Sequence, residues 1–598
     1  MSTTSILKKR GPPTSTAPVV ENRVGFKIPT ADNIDVQAAF AEANKSNVMD
    51  SNYRQLINVL KSPDTDDEAL VRLLKRIKNS APQIERHNDE VLDCVLKINL
   101  LKRSVHVIDA FSQLACDMVF IHPAFLRSIV VALLGTFMSP EATSKDVPER
   151  EEKLERLHAL FRLLFKLVPT APTRFIEILA EVFPYMKRDG IQQASLVGHL
   201  LRMTSYIPDH RLELLQLITH KALQIDLHCP KDEISGAELE DEDDAMEGDD
   251  IFEMEKVSGT DSERMQHPLA DILDQVLNQF YLHFQKHCNV KDGGDMSKLD
   301  WEKTKVLFKD FLTIFDKIVL PTHKCCHVQF LLFYLCSFRP AALGVAFLDY
   351  LWKKVQNPAT SCIVRQASAF YIGSFLARAK YVPISTVCDS LSLMCQWAHG
   401  YVASLNDSGF CQPQHDIQRH GTFYAVCQTV FYVFAFHHKA IADGAKGLQY
   451  LRELNLEALV MCPLNPLKAC LPAVVKQFAS IARHYQLVYC YSVIERNQRL
   501  ALPTAGGDTL YGDVVLDAFF PFDPYVLKRT GKWIEPLYRK FEKSDDDDDD
   551  DADLDDEPED DEDELMCKSP KSPSYVTEMF SYGASPGFKR SLSFNHHR

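Results

Sequence analysis

Apolar side chains recur three and four residues apart, run after run, for nearly 500 residues, and prolines stand between the runs instead of inside them. In LERLHALFRLLFKLV (154–168), Leu154, Leu157, Phe161, Leu164 and Val168 fall on one face of a helix. RLELLQLITHKAL (211–223), LADILDQVLNQFYLHF (269–284), KVLFKDFLTIFDKIV (305–319) and AALGVAFLDYLWKKV (341–355) repeat the pattern. Strict alternation of apolar and polar residues over six or more positions is nearly absent, which argues against sheets. Pro268, Pro321, Pro340, Pro358, Pro383, Pro463 and Pro466 stand before or at the start of apolar runs. A proline's missing N–H costs nothing in a helix's first turn and breaks the ladder further in. The chain reads as helix, short break, helix. No fixed 34-residue or 33-residue signature recurs, so the pattern predicts a loosely periodic, HEAT-like class near 40 residues per helix pair. One pair cannot bury its own apolar face, so neighbours stack into a single core.

The fold class expected is all-α: an elongated HEAT-like α-solenoid with a disordered acidic loop and a disordered acidic, Ser/Pro-rich C-terminal tail. The segments expected are 1–50, mostly disordered with a short helix near Val36–Ala43; 51–229, N-terminal HEAT-like repeats; 230–266, a disordered acidic loop; 267–542, C-terminal HEAT-like repeats; and 543–598, the disordered tail. Glycine is scarce, 23 of 598, and neither G-x-x-x-x-G-K-[ST] nor G-x-G-x-x-G occurs. That speaks against nucleotide hydrolysis and dinucleotide binding, and no cofactor is expected. The opening residues lack the apolar stretch of a secretory signal, and every long apolar run meets a charge or a histidine before it could span a bilayer. The expectation is a soluble intracellular protein, with no membrane contact, whose 16 cysteines are thiols. Cys94, Cys116, Cys336, Cys362, Cys427, Cys470 and Cys490 sit singly in apolar helical runs, where cysteine acts as a small hydrophobe.

The net charge of −16 hides an asymmetry. Residues 238–250 carry nine acids and no base, and 545–564 carry 17 acids and no base. Without those 26 acids, 66 bases face 56 acids, a net of +10. A basic body with acidic appendages suits broad protein–protein contact.

Three strings in the C-terminal half carry a resemblance: FRPAALGVAFLDYLWKKVQNPATSCIVRQASAFYIGSFLARAKYVP (338–383), LNPLKACLPAVVKQFASIARHYQLVYCYSVIERNQR (464–499) and FFPFDPYVLKRTGKWIEPLYRKFE (519–542). They resemble the TIF-IA family of RNA polymerase I initiation factors. The resemblance covers about 51–542 and is clearest from 300 onward. It implies a HEAT-repeat fold with an acidic loop partway along. It also implies binding of RNA polymerase I at its stalk and largest subunits, bridging to the promoter-bound core factor, control by protein kinases, and residence in the nucleus and nucleolus. The family's polymerase-facing serine patch lies in the N-terminal half. Ser104, Ser112, Ser128, Ser139, Ser144 and Ser195 are candidates for it by region only.

Other constellations weigh less. His323, Cys325, Cys326 and His327, and the pair His437–His438, have ligand-type side chains. Structural zinc needs well-spaced Cys/His pairs and no C-x-x-C occurs, so core packing is the reading and no metal is expected. No flanking sequence resembles a nucleophile elbow or a protease motif; the chain is expected not to be an enzyme. Lys353, Lys354, Arg365, Arg378 and Lys380, and further on Lys528, Arg529 and Lys532, are read as bases on a solenoid rim. They are candidates for weak promoter DNA contact or an acidic partner. Arg365 and Arg378 are 13 residues apart, about 140° around one helix, so a single helix does not aim both at one phosphate row. The acidic tail is expected to cover part of the second basic string. Ser569, Ser572 and Ser585 precede prolines, Ser591 and Ser593 follow Lys589-Arg590, and Ser544 precedes seven aspartates; all six are candidate phosphorylation sites. Lys8-Lys9-Arg10 is a short basic cluster of the nuclear-import type. Two rival functions fit parts of this picture, a general nuclear HEAT scaffold or transport adaptor, and an acidic histone chaperone.

Overall fold

The computed structural model describes residues 34–46, 51–63, 65–84, 89–139, 147–239, 263–290, 296–407, 415–501, 516 and 519–541. The 545–564 acid run, most of the 238–250 run, Ser144 and all six tail serines lie outside them. Among the described residues the chain is helical throughout; its one β feature is an isolated bridge between Ala379 and Tyr538.

In the N-terminal part the helices are α1 (Val36–Ser46), α2 (Ser51–Lys61), α3 (Asp67–Asn79), α4 (Asp89–Leu96), α5 (Val105–Ile121), α6 (Leu126–Phe137), α7 (Val147–Leu167), α8 (Ala171–Val182), α9 (Gly190–Met203), α10 (Arg211–Asp226) and α11 (Lys231–Leu239). After 263 come α12 (Pro268–Cys288), α13 (Trp301–Ile314), α14 (Phe330–Ser337), α15 (Pro340–Gln356), α16 (Cys362–Arg378), α17 (Ile384–Asp407) and α18 (Ile417–Ile441). The last are α19 (Gly444–Glu453), α20 (Leu456–Val460), α21 (Pro466–Ala469), α22 (Pro472–His484), α23 (Tyr491–Ala501) and α24 (Lys528–Ile534).

Local chemistry sets many of the helix starts. Asp66, Asp189, Asp300, Ser361 and Asp416 cap α3, α9, α13, α16 and α18 by accepting first-turn backbone N–H groups. Proline occupies the first turn of α12, α15 and α21. The α7 stripe is buried at Leu157, Phe161 and Leu164. Helices then pack chiefly on the next but one and in places on the next, as in α3 with α5, α5 with α7, α6 with α8, α15 with α16 and α16 with α18. This is the stacking of a helical solenoid.

The expected loop at 230–266 is narrower than its sequence suggested. Lys231–Leu239 is helical with Ile234 buried, and Met265 is buried beside α12. The parts before and after the acid run meet directly. Gly190 and Gly198 stand on α9 with Gln275 and Gln279 of α12 respectively across them. A Cβ on Gly198 would stand 2.8 Å from Gln279 Oε1, so the absence of side chains lets the two helices close up.

One helix departs from the amphipathic pattern. Nearly every residue of α18 from His420 to Ala435 is buried, because α16, α17 and α22 surround it. The chain's end departs from it too. A solenoid continues by adding pairs at its end, but residues 519–541 turn back and pack on α12 and α14. Phe522 is enclosed by the rings of Phe330, Phe333, Tyr371 and Phe375, with centroids 5.1–6.0 Å away. The string 519–542 that helps carry the resemblance is thus largely a packing element, here called the strap.

Candidate functional site

The ionisable groups inside the body are spent on joining distant parts. Asp226, at the end of α10 and 0% exposed, accepts the backbone N–H groups of Cys326, His327 and Val328 at 2.9–3.1 Å. Its other oxygen meets His327 Nδ1 at 3.0 Å. Burial alone would raise this carboxyl; the hydrogen bonds from His327 and Val328 outweigh it and hold the carboxyl below its usual range. Asp274 on α12 accepts the N–H groups of Arg529 (2.7 Å) and Thr530 (2.8 Å) and the Thr530 hydroxyl (2.5 Å). Asp523 of the strap takes Arg378 and the hydroxyls of Tyr432 and Tyr538. Each is a clamp: one carboxylate ordering a second chain segment.

Most of the candidate ligand-type residues belong to these clamps or to the core; His323 corrects the core reading, being exposed with its ring centroid 6.0 Å from that of Phe519. Cys325 is buried with its sulfur 3.4 Å from Tyr371 Oη, and His327 faces Asp226. His437 lies between the Leu376 carbonyl and Arg539, and His438 meets the Ala435 carbonyl. Among the described residues no three His, Cys, Asp or Glu side chains gather as a metal ion would require. No disulfide joins the described cysteines, and all but two of them are buried. Cys388 is half-buried. Cys362 corrects its expected burial, being exposed as the first residue of α16.

The candidate bases do not share one environment. Lys353 is exposed and paired with Asp349 at 2.6 Å, while Lys354 reaches Asp316 at 2.7 Å. Arg365 is half-buried, its Nε donating to the Val355 carbonyl at 2.7 Å. Arg378 is the clear correction to the rim reading: it is 1% exposed, bonded to Asp523 and stacked 4.5 Å from the Phe436 ring centroid. Lys380 is exposed, and its backbone N–H donates to Leu537 of the strap. Lys528 and Arg529 are half-buried at the start of α24, with Arg529 Nε 3.8 Å from Glu263, and Lys532 is exposed over Trp533.

Of the candidate serines, Ser104 gives its backbone N–H to Asp67 at 2.7 Å and Ser112 donates to the Ile108 carbonyl at 2.7 Å. Ser128 is exposed on α6. Ser139 offers its carbonyl to Arg150, and Ser195 donates to the Phe137 carbonyl at 2.8 Å.

Ser195 and Arg150 both line a groove of about 1080 Å³ where α7, α9, α10, α12 and α13 meet. Its walls carry Arg150, Arg162, Arg202, Arg211, Lys286 and Lys303 against Glu151 and Glu302. His199 and His283 stand among them, pushed down by burial to about 4 and about 3, so both are neutral at pH 7. Sequence reasoning missed the groove. Five helices assemble it, and no local run of residues announces it.

Comparison with known proteins agrees with the fold. A family model described as RNA polymerase I specific transcription initiation factor RRN3 matches residues 33–546. The mouse RNA polymerase I-specific transcription initiation factor RRN3 is 38% identical over 522 residues, covering 81% of this chain and 78% of the mouse protein. The fission yeast factor rrn3 is 24% identical over 509 residues, covering 79% and 80%. Among solved structures, the crystal structure of RNA Polymerase I Transcription Initiation Factor Rrn3 superposes with a TM-score of 0.67 at 20% identity. That match covers 86% of this chain and 99% of the other, and shows a shared fold.

Proposed function

The chain belongs to the RRN3 family of RNA polymerase I-specific transcription initiation factors, the TIF-IA family its sequence resembles, and from that premise we propose how its surface performs the role. It is an initiation factor and not an enzyme. It acts in the nucleus on RNA polymerase I, contacting the stalk and largest subunits and bridging them to the promoter-bound core factor in the nucleolus. Protein kinases tune this by adding charge to serines. In this reading 51–229 and 267–542 are the two repeat runs and 230–266 is the acidic link.

The supporting observation is where the family match falls. It spans 33–546, a range that contains all the described helices, and leaves most of the tail aside. Within that body the buried carboxylates are consumed as clamps, so the exterior is what remains for recognition. Ser195 lines a groove with basic walls, and Ser139 touches its Arg150 through a backbone carbonyl, so a phosphate's added charge of about −1.5 to −2 there would change which partners are attracted. Weak promoter DNA contact by Lys353, Lys380 and Lys532, all exposed, would be electrostatic and would fall steeply with salt.

The test is affinity purification of the full chain followed by mass spectrometry. Recovery of RNA polymerase I stalk and largest subunits supports the reading. Recovery of import cargo or histones without polymerase overturns it.

A further inference from the structure

The groove that meets Ser195 has two properties that together narrow what it binds. The first is charge. Some of its basic wall is spent internally: Glu155 is shared by Arg162 and Arg202, Asp310 lies 2.7 Å from Arg211, and Asp300 lies 3.0 Å from Lys303. Arg150 and Lys286 have no carboxylate partner among the described residues, and the two arginines sharing Glu155 leave one further charge uncompensated; Glu151 of the lining sets one acid against these three and leaves a net excess of two. On the opposite wall Glu302 is held by Lys305 at 2.7 Å. The second property is an apolar lining. Leu282 and Val306 are 43% and 41% exposed within the groove, although water is an unfavourable neighbour for both.

Nucleic-acid phosphates would satisfy the bases and leave Leu282 and Val306 wet. A small anion would fill little of a space at the top of the range of roughly 300–1,000 Å³ usual for small-molecule pockets. An acidic peptide carrying aliphatic or aromatic side chains satisfies both features. We infer that the groove is the docking site for an acidic, apolar-containing segment of a partner protein. Carboxylates would face Arg150 and Lys286, and an apolar side chain would lie over Leu282 and Val306. The assignment rests on the proposed role only in expecting a protein partner; the binding chemistry stands without it.

The probe is a fluorescein-labelled peptide, ELEDEDDAMEGDDIFEMEKV, which has this composition and is residues 238–257 of the chain itself. Anisotropy with the full chain at about 0.1 M salt is expected to show binding. That binding should weaken about tenfold in Lys286→Glu and about tenfold in Arg150→Glu, equivalent to about 1.4 kcal/mol each. Leu282→Ser should weaken it about fivefold. Lys286 is an exposed surface residue, so Lys286→Glu keeps the test decisive if Arg150→Glu disturbs folding. Far-UV circular dichroism and the melting curve check each variant. Absent binding both to the unaltered chain and to the chain lacking 240–262, or equal binding to Lys286→Glu, overturns the site. Equal affinity for a 20-residue oligothymidine, lost in the same variants, makes it a phosphate site and overturns the peptide assignment. A tenfold or greater gain on deleting 240–262 makes the chain's own acids the occupant and overturns the assignment to a partner.

Discussion

Arg378 at the end of α16 and Asp523 in the strap, 145 residues apart, form a buried ion pair that ties the returning chain to the helical core. The pair is well provided for. Tyr432 and Tyr538 donate their hydroxyls to the carboxylate, Arg378 also reaches the Arg539 carbonyl, and the Arg539 N–H donates back to the Arg378 carbonyl at 2.8 Å. Taking one partner away leaves an uncompensated charge in a dry site, which typically costs about 3–5 kcal/mol. Asp523→Ala and Arg378→Met should each lower unfolding stability by that amount in urea titration. The double variant should cost less than the two losses added. Additive losses would mean that the two groups do not act as a pair.

The Asp274 clamp is a hydrogen-bond version of the same idea. Asp274→Ala strands three donors at Arg529 and Thr530, each costing about 1–3 kcal/mol if it finds no water. Burial raises the Asp274 carboxyl and those same hydrogen bonds pull against the rise. Thr530→Val removes the hydroxyl that Asp274 accepts and that also meets the buried Tyr525 Oη at 2.6 Å, and should cost about 1–3 kcal/mol. Hydrogen exchange provides the local readout. Amides at 528–538 should exchange faster in Asp274→Ala, while those of α5 and α7 stay unchanged.

The helices were legible in the sequence because the α7-type stripe reports a buried face directly. The clamps were not. Arg378 reads as a rim base because arginine is almost never fully buried unless paired, and its partner stands 145 residues on. His158 occupies the α7 stripe beside Leu157 and Phe161, yet nothing local shows that Tyr206 and His199 will meet it at 2.9 and 3.1 Å. The strap string was recognisable as a resemblance, but its return across α12 and α14 depends on pairings at sequence separations of 250 or so, such as Arg529 with Asp274. A stripe predicts that a face is covered and not what covers it.

The His158 site makes stability pH-dependent with a definite sign. Burial, then His199 and Arg162, push His158 down to about 3, against 6.5 for the open chain. Below pH 6.5 the unfolded chain therefore binds a proton that the folded chain refuses, and stability falls as pH falls. At pH 5 the loss from this residue is about 2 kcal/mol relative to pH 7.5. Urea titrations at the two pH values measure it. In His158→Phe the difference between the two pH values should shrink by that amount, whatever the variant's own stability. A difference that stays the same would show that His158 takes up its proton in the folded state.

Glu155 separates stability from recognition in the groove. It is partly exposed and bonded to Arg162 and Arg202, which are themselves a third or more exposed on average, so the pairings are screened and add little to folding. Glu155→Gln should change the unfolding free energy by less than about 1 kcal/mol. It also removes the one carboxylate the two arginines share and leaves both cations facing the groove. The acidic peptide should then bind about three- to tenfold more tightly at low salt, with the gain lost near 0.5 M as screening shortens the reach of the field. A change in stability with no change in peptide affinity would make Glu155 a purely structural residue and place the binding charge elsewhere. Tighter binding at unchanged stability is what a groove that reads charge requires.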